Sequence, residues 1–201
     1  MSAHPRFVLA SGSPARLRTL RNAGVEPEVV VSGVDEEAVT APTPAALAGV
    51  LAAHKAQAVA PRVGGALVLG CDSVFEIDGA PYGKPASAHE AVSRWRSMRG
   101  RSGVLHTGHC LVDTRSGRQA DEVASTVVHF ATVSDEEIAT YVATGEPLRV
   151  AGGFTVDGLG GAFVTAVEGD FHNVVGLSLP LLRRLLAQLG VRWADLWRPA
   201  P

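Results

Sequence analysis

Short apolar runs alternate with longer periodic segments along the chain. Residues 7–10 (FVLA) and 66–71 (ALVLGC) are unbroken apolar runs, which predict buried strands. Residues 44–59 place apolar side chains at helical spacing, as does a Leu-rich segment near the C-terminus. Asp78-Gly79 is a hairpin signal between two extended segments. The alternation of strands and helices, followed by hairpins, predicts an α/β fold with a mixed sheet.

The first predicted strand leads directly into a helix. Ser13 is a favourable N-cap, and Pro14 suits the first helical turn because its missing N–H has no partner there anyway. The free N–H groups and the helix dipole at this end favour an anion. Arg16, Arg18 and Arg21 oppose the dipole, at about 0.3–1 kcal/mol each, unless an anion binds. Two interpretations stay open: a phosphate site, or solvated arginines.

Length and charge narrow the class of protein. With 201 residues, the chain is long enough for one domain or for two lobes that share a core. A net charge of −2 argues against nonspecific binding to nucleic acid or membranes. No apolar run approaches the ~20 residues of a membrane span, and the N-terminal run is too short for a signal peptide. We therefore expect a cytoplasmic protein, with Cys71 and Cys110 as free buried thiols.

Lysine is rare in this chain. Of 18 basic residues only Lys55 and Lys84 are lysines, so a retained lysine indicates a need for a compact point charge. Lys84 lies between Gly83 and Pro85 with little freedom to move, which favours a fixed ligand contact. Lys55 falls late in a predicted helix, beside its apolar face. The alternative for Lys55 is a side chain that extends to solvent.

Asp72 is the strongest single candidate for chemistry. It follows a buried apolar strand, where open α/β sheets place their sites, although a turn cap is the alternative. Glu36, with Asp35, Asp72 and Glu76, could supply oxygen ligands for a hard cation such as Mg²⁺. The acidic loop around Glu36 could equally be solvated. Carboxylates and cations around a helix N-terminus predict a polyphosphate site.

Eight segments in this order resemble the Maf family of nucleoside triphosphate pyrophosphatases. They are LASGSPAR at 9–16, VDEE at 34–37, HKA at 54–56, GCDSV at 70–74, GKP at 83–85, HTGH at 106–109, AGGFTVDGLGG at 151–161 and EGDFHNVVGL at 168–177. The resemblance covers about residues 6–190 and leaves a tail at 191–201. It implies a single Maf-like domain over residues 1–201. The implied architecture is a two-lobed Maf/ITPase-like α/β fold around a long mixed sheet with a central cleft.

The resemblance also implies an activity. The family hydrolyses a nucleoside triphosphate to the monophosphate and pyrophosphate with a divalent cation, Mg²⁺ or Mn²⁺. Asp72 matches the family's proposed proton acceptor, and Arg16, Glu36, Lys55 and Lys84 match residues that line the phosphate and metal site. Whether Asp72 is a base or, with Glu36, a metal ligand stays open. A homodimer is expected from the family alone.

The residues that set base preference depart from the family's patterns. The subclass that prefers dTTP and UTP tends to have Arg, Thr and Gln at the positions of Ala15, Ser73 and Asp157. The subclass that prefers 7-methyl-GTP tends to have Trp, Gln and Glu there. Asp157 is chemically closer to the second, because a carboxylate can accept hydrogen bonds from a guanine edge. The expected substrate-binding residues are these three positions, the cations Arg16, Lys55 and Lys84, and Ser11 and Ser13 of the first motif.

A second function is compatible with the same resemblance. The family is also associated with septum formation and division arrest, which implies a nucleotide-binding regulator without essential turnover. The complete set of charged residues favours the enzyme, with a nucleoside triphosphate as substrate. Neither nucleic acid nor a membrane is expected as a partner.

Overall fold

One mixed sheet of seven strands organises the computed structural model, which describes residues 4–197. The strands are β1 (Arg6–Leu9), β2 (Glu28–Val29), β3 (Ala66–Ile77), β4 (Ala80–Tyr82), β5 (Ser102–Asp113), β6 (Arg118–Phe130) and β7 (Val164–Glu168). Their order is β2-β1-β3-β5-β6-β7, with β4 paired to β3 off this path. β1 is parallel to β2 and β3, and the remaining pairs are antiparallel. The predicted α/β fold with a mixed sheet is confirmed.

Helices flank this sheet, and polar side chains cap their N-termini. The helices of the described range are α1 (Pro14–Asn22), α2 (Pro44–Val59), α3 (Ala88–Met98), α4 (Asp135–Ala143), α5 (Phe171–Val175) and α6 (Leu179–Gln188). The predicted N-cap at Ser13 is confirmed, and Thr43, Ser87, Ser134 and Ser178 cap later helices in the same way. α5 was not predicted, because five residues are too few for a periodic signal. Within residues 4–197, no helix has the length and apolar character needed to cross a membrane.

β3 is longer than β1 and β4, the two strands that share one of its edges. The gap between these two strands opens a cleft. β5 covers one edge of β3 from Leu67 to Glu76. The other edge is shared: β1 pairs with residues 66–69, and β4 pairs with residues 75–77. Between them, residues 70–74 have no strand partner on that edge in the described part of the chain. The unpaired stretch separates two lobes, in agreement with the expected two-lobed arrangement and central cleft.

Each lobe has its own hydrophobic core. In the first lobe, Leu9, Leu20 and Leu67 pack against the leucines of α6. In the second, Phe75 and Trp95 belong to an aromatic cluster with ring centroids 5.0–5.7 Å apart in edge-to-face pairs. Such pairs contribute about 0.5–1.5 kcal/mol each beyond the area they bury. Both walls of the cleft therefore rest on well-packed elements.

The two cysteines belong to hydrophobic clusters of the core. Cys71 and Cys110 are buried and free, as predicted. Burial raises the pKa of each thiol to about 12. Both therefore stay protonated and unreactive at neutral pH.

Two glycines let α2 approach the sheet closely. A Cβ on Gly70 of β3 would overlap the carbonyl oxygen of Ala52, and a Cβ on Gly108 of β5 would overlap that of Ala48. Because only a residue without Cβ fits there, α2 lies almost directly on β3 and β5. This close packing brings the C-terminal half of α2 to the stretch of β3 that lines the cleft.

We expect Gly108→Ala to destabilise the protein by about 1–3 kcal/mol, because the added methyl group overpacks the α2–sheet contact. Gly64→Ala is the matched control, since nothing lies within 4 Å of a Cβ built at Gly64. Chemical denaturation of both variants measures the difference. Equal unfolding free energies for the two variants would contradict the close-packing explanation.

Candidate active site

A buried ammonium lies between two carboxylates at the cleft. Lys55 Nζ is 2.5 Å from Asp72 Oδ1 and 2.7 Å from Glu36 Oε1. Lys55 is only 6% exposed and Asp72 only 8%, whereas half of the Glu36 side chain remains accessible. Lys55 comes from α2 and Asp72 from the unpaired stretch of β3. Lys55 therefore does not extend to solvent, and Asp72 is not a simple turn cap.

Positive charges near Glu36 favour the ionised form of its carboxyl group. Partial burial acts to raise the pKa of this carboxyl, but the hydrogen bond from Lys55 and the positive charges of Lys55, Lys84 and Arg16 outweigh it. The pKa of Glu36 consequently lies below its usual value. The same electrostatic effect shows that all three predicted cations act on one point of the cleft.

Arg16 is a buried cation held by neutral oxygens. Its Nε donates to the carbonyl oxygen of Gly176 at 2.7 Å, and its two terminal nitrogens donate to Ser11 Oγ at 3.1 Å and Ser73 Oγ at 3.0 Å. The residue is 7% exposed, and no carboxylate within residues 4–197 forms an ion pair with it. A buried charge without a counter-ion is costly. This environment favours an anionic ligand beside the guanidinium.

Ser11 and Ser13 shape the loop that carries Arg16. Ser13 Oγ accepts from the Arg16 backbone N–H at 3.4 Å, which caps α1. Ser11 Oγ accepts from the Ser13 N–H at 3.2 Å as well as from the guanidinium. Both hydroxyls therefore lie at the predicted site, and their contact with substrate stays a prediction.

The Lys55–Asp72 pair and the Arg16 guanidinium lie on either side of the open edge of β3. Asp72 and Ser73 are consecutive on the strand, so their side chains project to opposite faces of the sheet. Asp72 meets Lys55 on the face covered by α2, and Ser73 meets Arg16 on the face of α1 and α5. Ser73 Oγ is also 3.0 Å from Thr107 Oγ1 of β5, which fixes it. An extended anion along this edge can therefore contact cations on both sides.

Lys84 belongs to the other lobe. It is exposed on the loop between β4 and α3, and its charge lowers the pKa of Glu36. Lys84 therefore lies within electrostatic reach of Glu36. Of the predicted set, Glu36, Lys55 and Asp72 are in direct contact, and the charges of Arg16 and Lys84 act on Glu36.

The positions expected to set base preference divide into two places. Ala15 and Asp157 line a cavity of about 240 Å³ beside the charged site, together with Arg18 and Phe171. Ser73 lies instead with Arg16. Arg18, one of the three arginines of α1, reaches to 3.6 Å from Asp157. A larger cavity of about 770 Å³ nearby, walled by tryptophans, contains none of the predicted site residues.

Glu146 is a residue that the sequence did not single out. Its carboxylate accepts four hydrogen bonds, from Tyr141 Oη (2.9 Å), Thr155 Oγ1 (2.6 Å), Leu159 N (3.1 Å) and Gly160 N (3.0 Å). Burial acts to raise its pKa, but these hydrogen bonds hold the pKa below the usual value. Glu146 thereby anchors the loop that carries Asp157. Its only signal was an acidic residue ahead of a glycine-rich segment.

The carboxylates suit a hard divalent cation. Glu36 and Asp72 converge on one ammonium, and Mg²⁺ characteristically takes one or two carboxylates plus waters and phosphate oxygens. Glu76, considered as a further ligand, bonds His106 instead, at 3.0 Å. Among residues 4–197 no group of three or more His, Cys, Asp or Glu side chains could enclose a metal. The donor set therefore fits a cation shared with a phosphate ligand.

A charged cleft at the open edge of a central strand, with a buried arginine and lysine, defines an α/β protein whose site suits a phosphorylated small molecule. The chain belongs to the Maf family: the family model described as Maf-like protein matches residues 6–189.

Curated relatives match nearly the whole chain. A nucleoside triphosphate pyrophosphatase of Streptomyces coelicolor is 63% identical over 197 residues, which cover 97% of this chain and 96% of the relative. Proteins of the same name from Salinispora tropica and Nostoc punctiforme are 62% and 49% identical, over 96% of this chain and 87% and 98% of the relatives. The Ham1 protein of Staphylococcus aureus aligns with a TM-score of 0.43 and 14% identity, over 63% of this chain and 72% of that one. A similarity that weak supports no conclusion.

The lowered pKa of Glu36 predicts a pH-dependent contribution to stability. A depressed pKa stabilises the folded state above the unfolded pKa, and this contribution is lost as pH falls through the folded value. We expect the stability difference between the wild type and Glu36→Gln to be largest near pH 7 and to shrink below about pH 4.5, the usual value for Glu. Urea denaturation from pH 7 to pH 3.5 measures it. A difference independent of pH would contradict the pairing with Lys55.

Proposed function

We propose that this protein is a nucleoside triphosphate pyrophosphatase, which hydrolyses its substrate to the nucleoside monophosphate and pyrophosphate. The carrying observation is Arg16, a buried cation without an acidic partner in the described chain, across the open edge of β3 from Asp72 and Lys55. Family membership and the names of close relatives support the same activity. We infer that the triphosphate lies along the open edge of β3.

The cations bind and orient the phosphates. Arg16 contacts them from the α1 side, and Lys84 closes over them from the other lobe. Both charges neutralise the pyrophosphate as it leaves, and water screens the buried Arg16 little. The positive end of the α1 dipole adds a further attraction for an anion.

Asp72 positions the attacking water and accepts its proton. Lys55 bonds one oxygen of this carboxylate, and no described residue hydrogen-bonds the other, Oδ2. The water oxygen attacks the α-phosphorus, the bond to the α,β-bridging oxygen breaks, and the proton moves to Asp72. Mg²⁺ or Mn²⁺, held by Glu36 and Asp72 when bound, supplies charge neutralisation and a more acidic water.

The cavity beside the phosphates is the proposed base site. Asp157 offers acceptor oxygens and Arg18 offers donors at its mouth, while Phe171 offers an aromatic face. The small Ala15 leaves room for the base. The protein would thus select its nucleotide by hydrogen bonds to the base edge.

Two further proposals concern the cellular compartment and the oligomeric state of the enzyme. Nucleoside triphosphates are cytoplasmic metabolites, and we propose that the enzyme acts there as a homodimer, without nucleic acid or a membrane as a partner. The proposed role of the enzyme is to remove noncanonical nucleotides from the cell. Sedimentation equilibrium tests the dimer.

Asp72→Asn is expected to lower kcat for pyrophosphate release by about 10²–10⁴-fold, because the amide cannot accept the proton. The assay measures pyrophosphate over a panel of canonical and modified nucleoside triphosphates with Mg²⁺ or Mn²⁺. Asp78→Asn is the control, since Asp78 is exposed at the β3–β4 turn and pairs with Arg101. Full activity in Asp72→Asn would refute the mechanism.

Asp157→Asn is expected to change the order of preference among bases by roughly tenfold in kcat/KM, because one side-chain acceptor becomes a donor. Turnover of the least-favoured nucleotide should change little. Asp121→Asn, at an exposed position of β6, is the control. An unchanged ranking in Asp157→Asn would remove Asp157 from base recognition.

A further inference from the structure

We propose that Arg94 is a positioning residue for Lys84. Together with Glu90 it clamps residues 83–86, the loop that presents Lys84 to the cleft. The inference rests on the proposed function, because it gives Arg94 a part in binding the phosphates without contact to them.

One arginine–glutamate pair closes both ends of this loop. Arg94 Nη1 donates to the carbonyl oxygen of Gly83 at 2.5 Å, and the Ala86 N–H donates to Glu90 Oε2 at 2.7 Å. Arg94 in turn bonds Glu90 Oε1 through Nε at 3.0 Å and Nη2 at 2.5 Å. A continuous chain of charge-assisted hydrogen bonds therefore runs from the residue before Lys84 to the second residue after it.

Two other contacts and the burial of the surrounding side chains hold the clamp in place. The Arg94 guanidinium lies 5.3 Å from the centre of the Tyr82 ring, a cation–π distance. Its side chain is only 14% exposed, unlike that of an ordinary surface pair. Gly152 N also donates to the Gly83 carbonyl oxygen at 3.1 Å, and Pro85 is buried. The backbone on either side of Lys84 thus has little freedom.

Capping of α3 does not by itself explain this arrangement. Ser87 is the N-cap, and Glu90 stands three residues later, at the position of a capping-box glutamate. In a capping box the carboxylate returns to the N-cap N–H, whereas here it reaches one residue further, to Ala86. The hydrogen bonds from Ala86 and Arg94 also lower the pKa of Glu90. The pair is therefore directed at the loop as well as at the helix.

The clamp has a functional consequence because Lys84 is exposed. A lysine side chain has many rotamers, so a fixed backbone is what aims its charge at Glu36 and the phosphates. Without Arg94 the ammonium remains present but is poorly placed. The loss should therefore resemble a weaker form of losing Lys84 itself.

A double-mutant cycle tests this directly. We expect Arg94→Ala to lower kcat/KM for the preferred nucleoside triphosphate about tenfold, and Lys84→Ala to lower it more. In the Lys84→Ala background, Arg94→Ala should have almost no further effect, because its role acts through Lys84. Arg96→Ala is the matched control on the same helix, since Arg96 is exposed and pairs with Asp135 away from the loop.

Arg94→Lys separates positioning from folding. Lysine keeps the charge and the aliphatic stem but cannot bridge Gly83 and Glu90 in the same way. We expect this variant to unfold near the wild-type temperature and still to lose kcat/KM. Wild-type kcat/KM in Arg94→Lys and Arg94→Ala, or fully additive losses in the double variant, would overturn the proposal.

The same variants can be measured without turnover. Calorimetric binding of inorganic tripolyphosphate should weaken in Arg94→Ala and stay unchanged in Arg96→Ala. If the wild type binds tripolyphosphate but hydrolyses no nucleotide, the proposed function fails. The difference in tripolyphosphate binding between Arg94→Ala and Arg96→Ala still tests the clamp in that case. If Arg94→Ala binds tripolyphosphate as tightly as the wild type, the clamp is refuted whatever the activity.

Discussion

The ammonium of Lys55, shared by Asp72 and Glu36, is the interaction on which the rest of the site depends. Two of its three members are buried, and a buried charge is tolerated only when it is paired with good geometry. That geometry requires α2 to lie close to β3, which the glycines at 70 and 108 allow. It also requires β1 to stop before Asp72, so that the carboxylate opens to the cleft.

The cations of the site lie on different sides of the cleft. Arg16 and Lys55 lie on opposite faces of the sheet, and Lys84 approaches from the second lobe. Among residues 4–197, Arg16 hydrogen-bonds only neutral oxygens, so its charge remains for a ligand. An anion with several phosphates satisfies this arrangement better than a single phosphate, because it can reach all three cations.

Much of the fold was predictable, because its signals are local. The apolar run of β3 and the Ser13 cap of α1 were read directly from neighbouring residues. The pairing of Lys55 with Asp72 depends on how α2 crosses the sheet, so spacing could not predict it, although the family resemblance placed both in one site. Arg94 shows the same limit, since its partner Gly83 is 11 residues away and only the folded loop brings them together.

The central claim is that the cleft directs water to the α-phosphorus of a nucleoside triphosphate. Hydrolysis in water labelled with ¹⁸O, followed by mass spectrometry of both products, tests it most directly. We predict one labelled oxygen in the nucleoside monophosphate and none in the pyrophosphate. Label in the pyrophosphate, or release of orthophosphate in its place, would contradict this placement of the substrate.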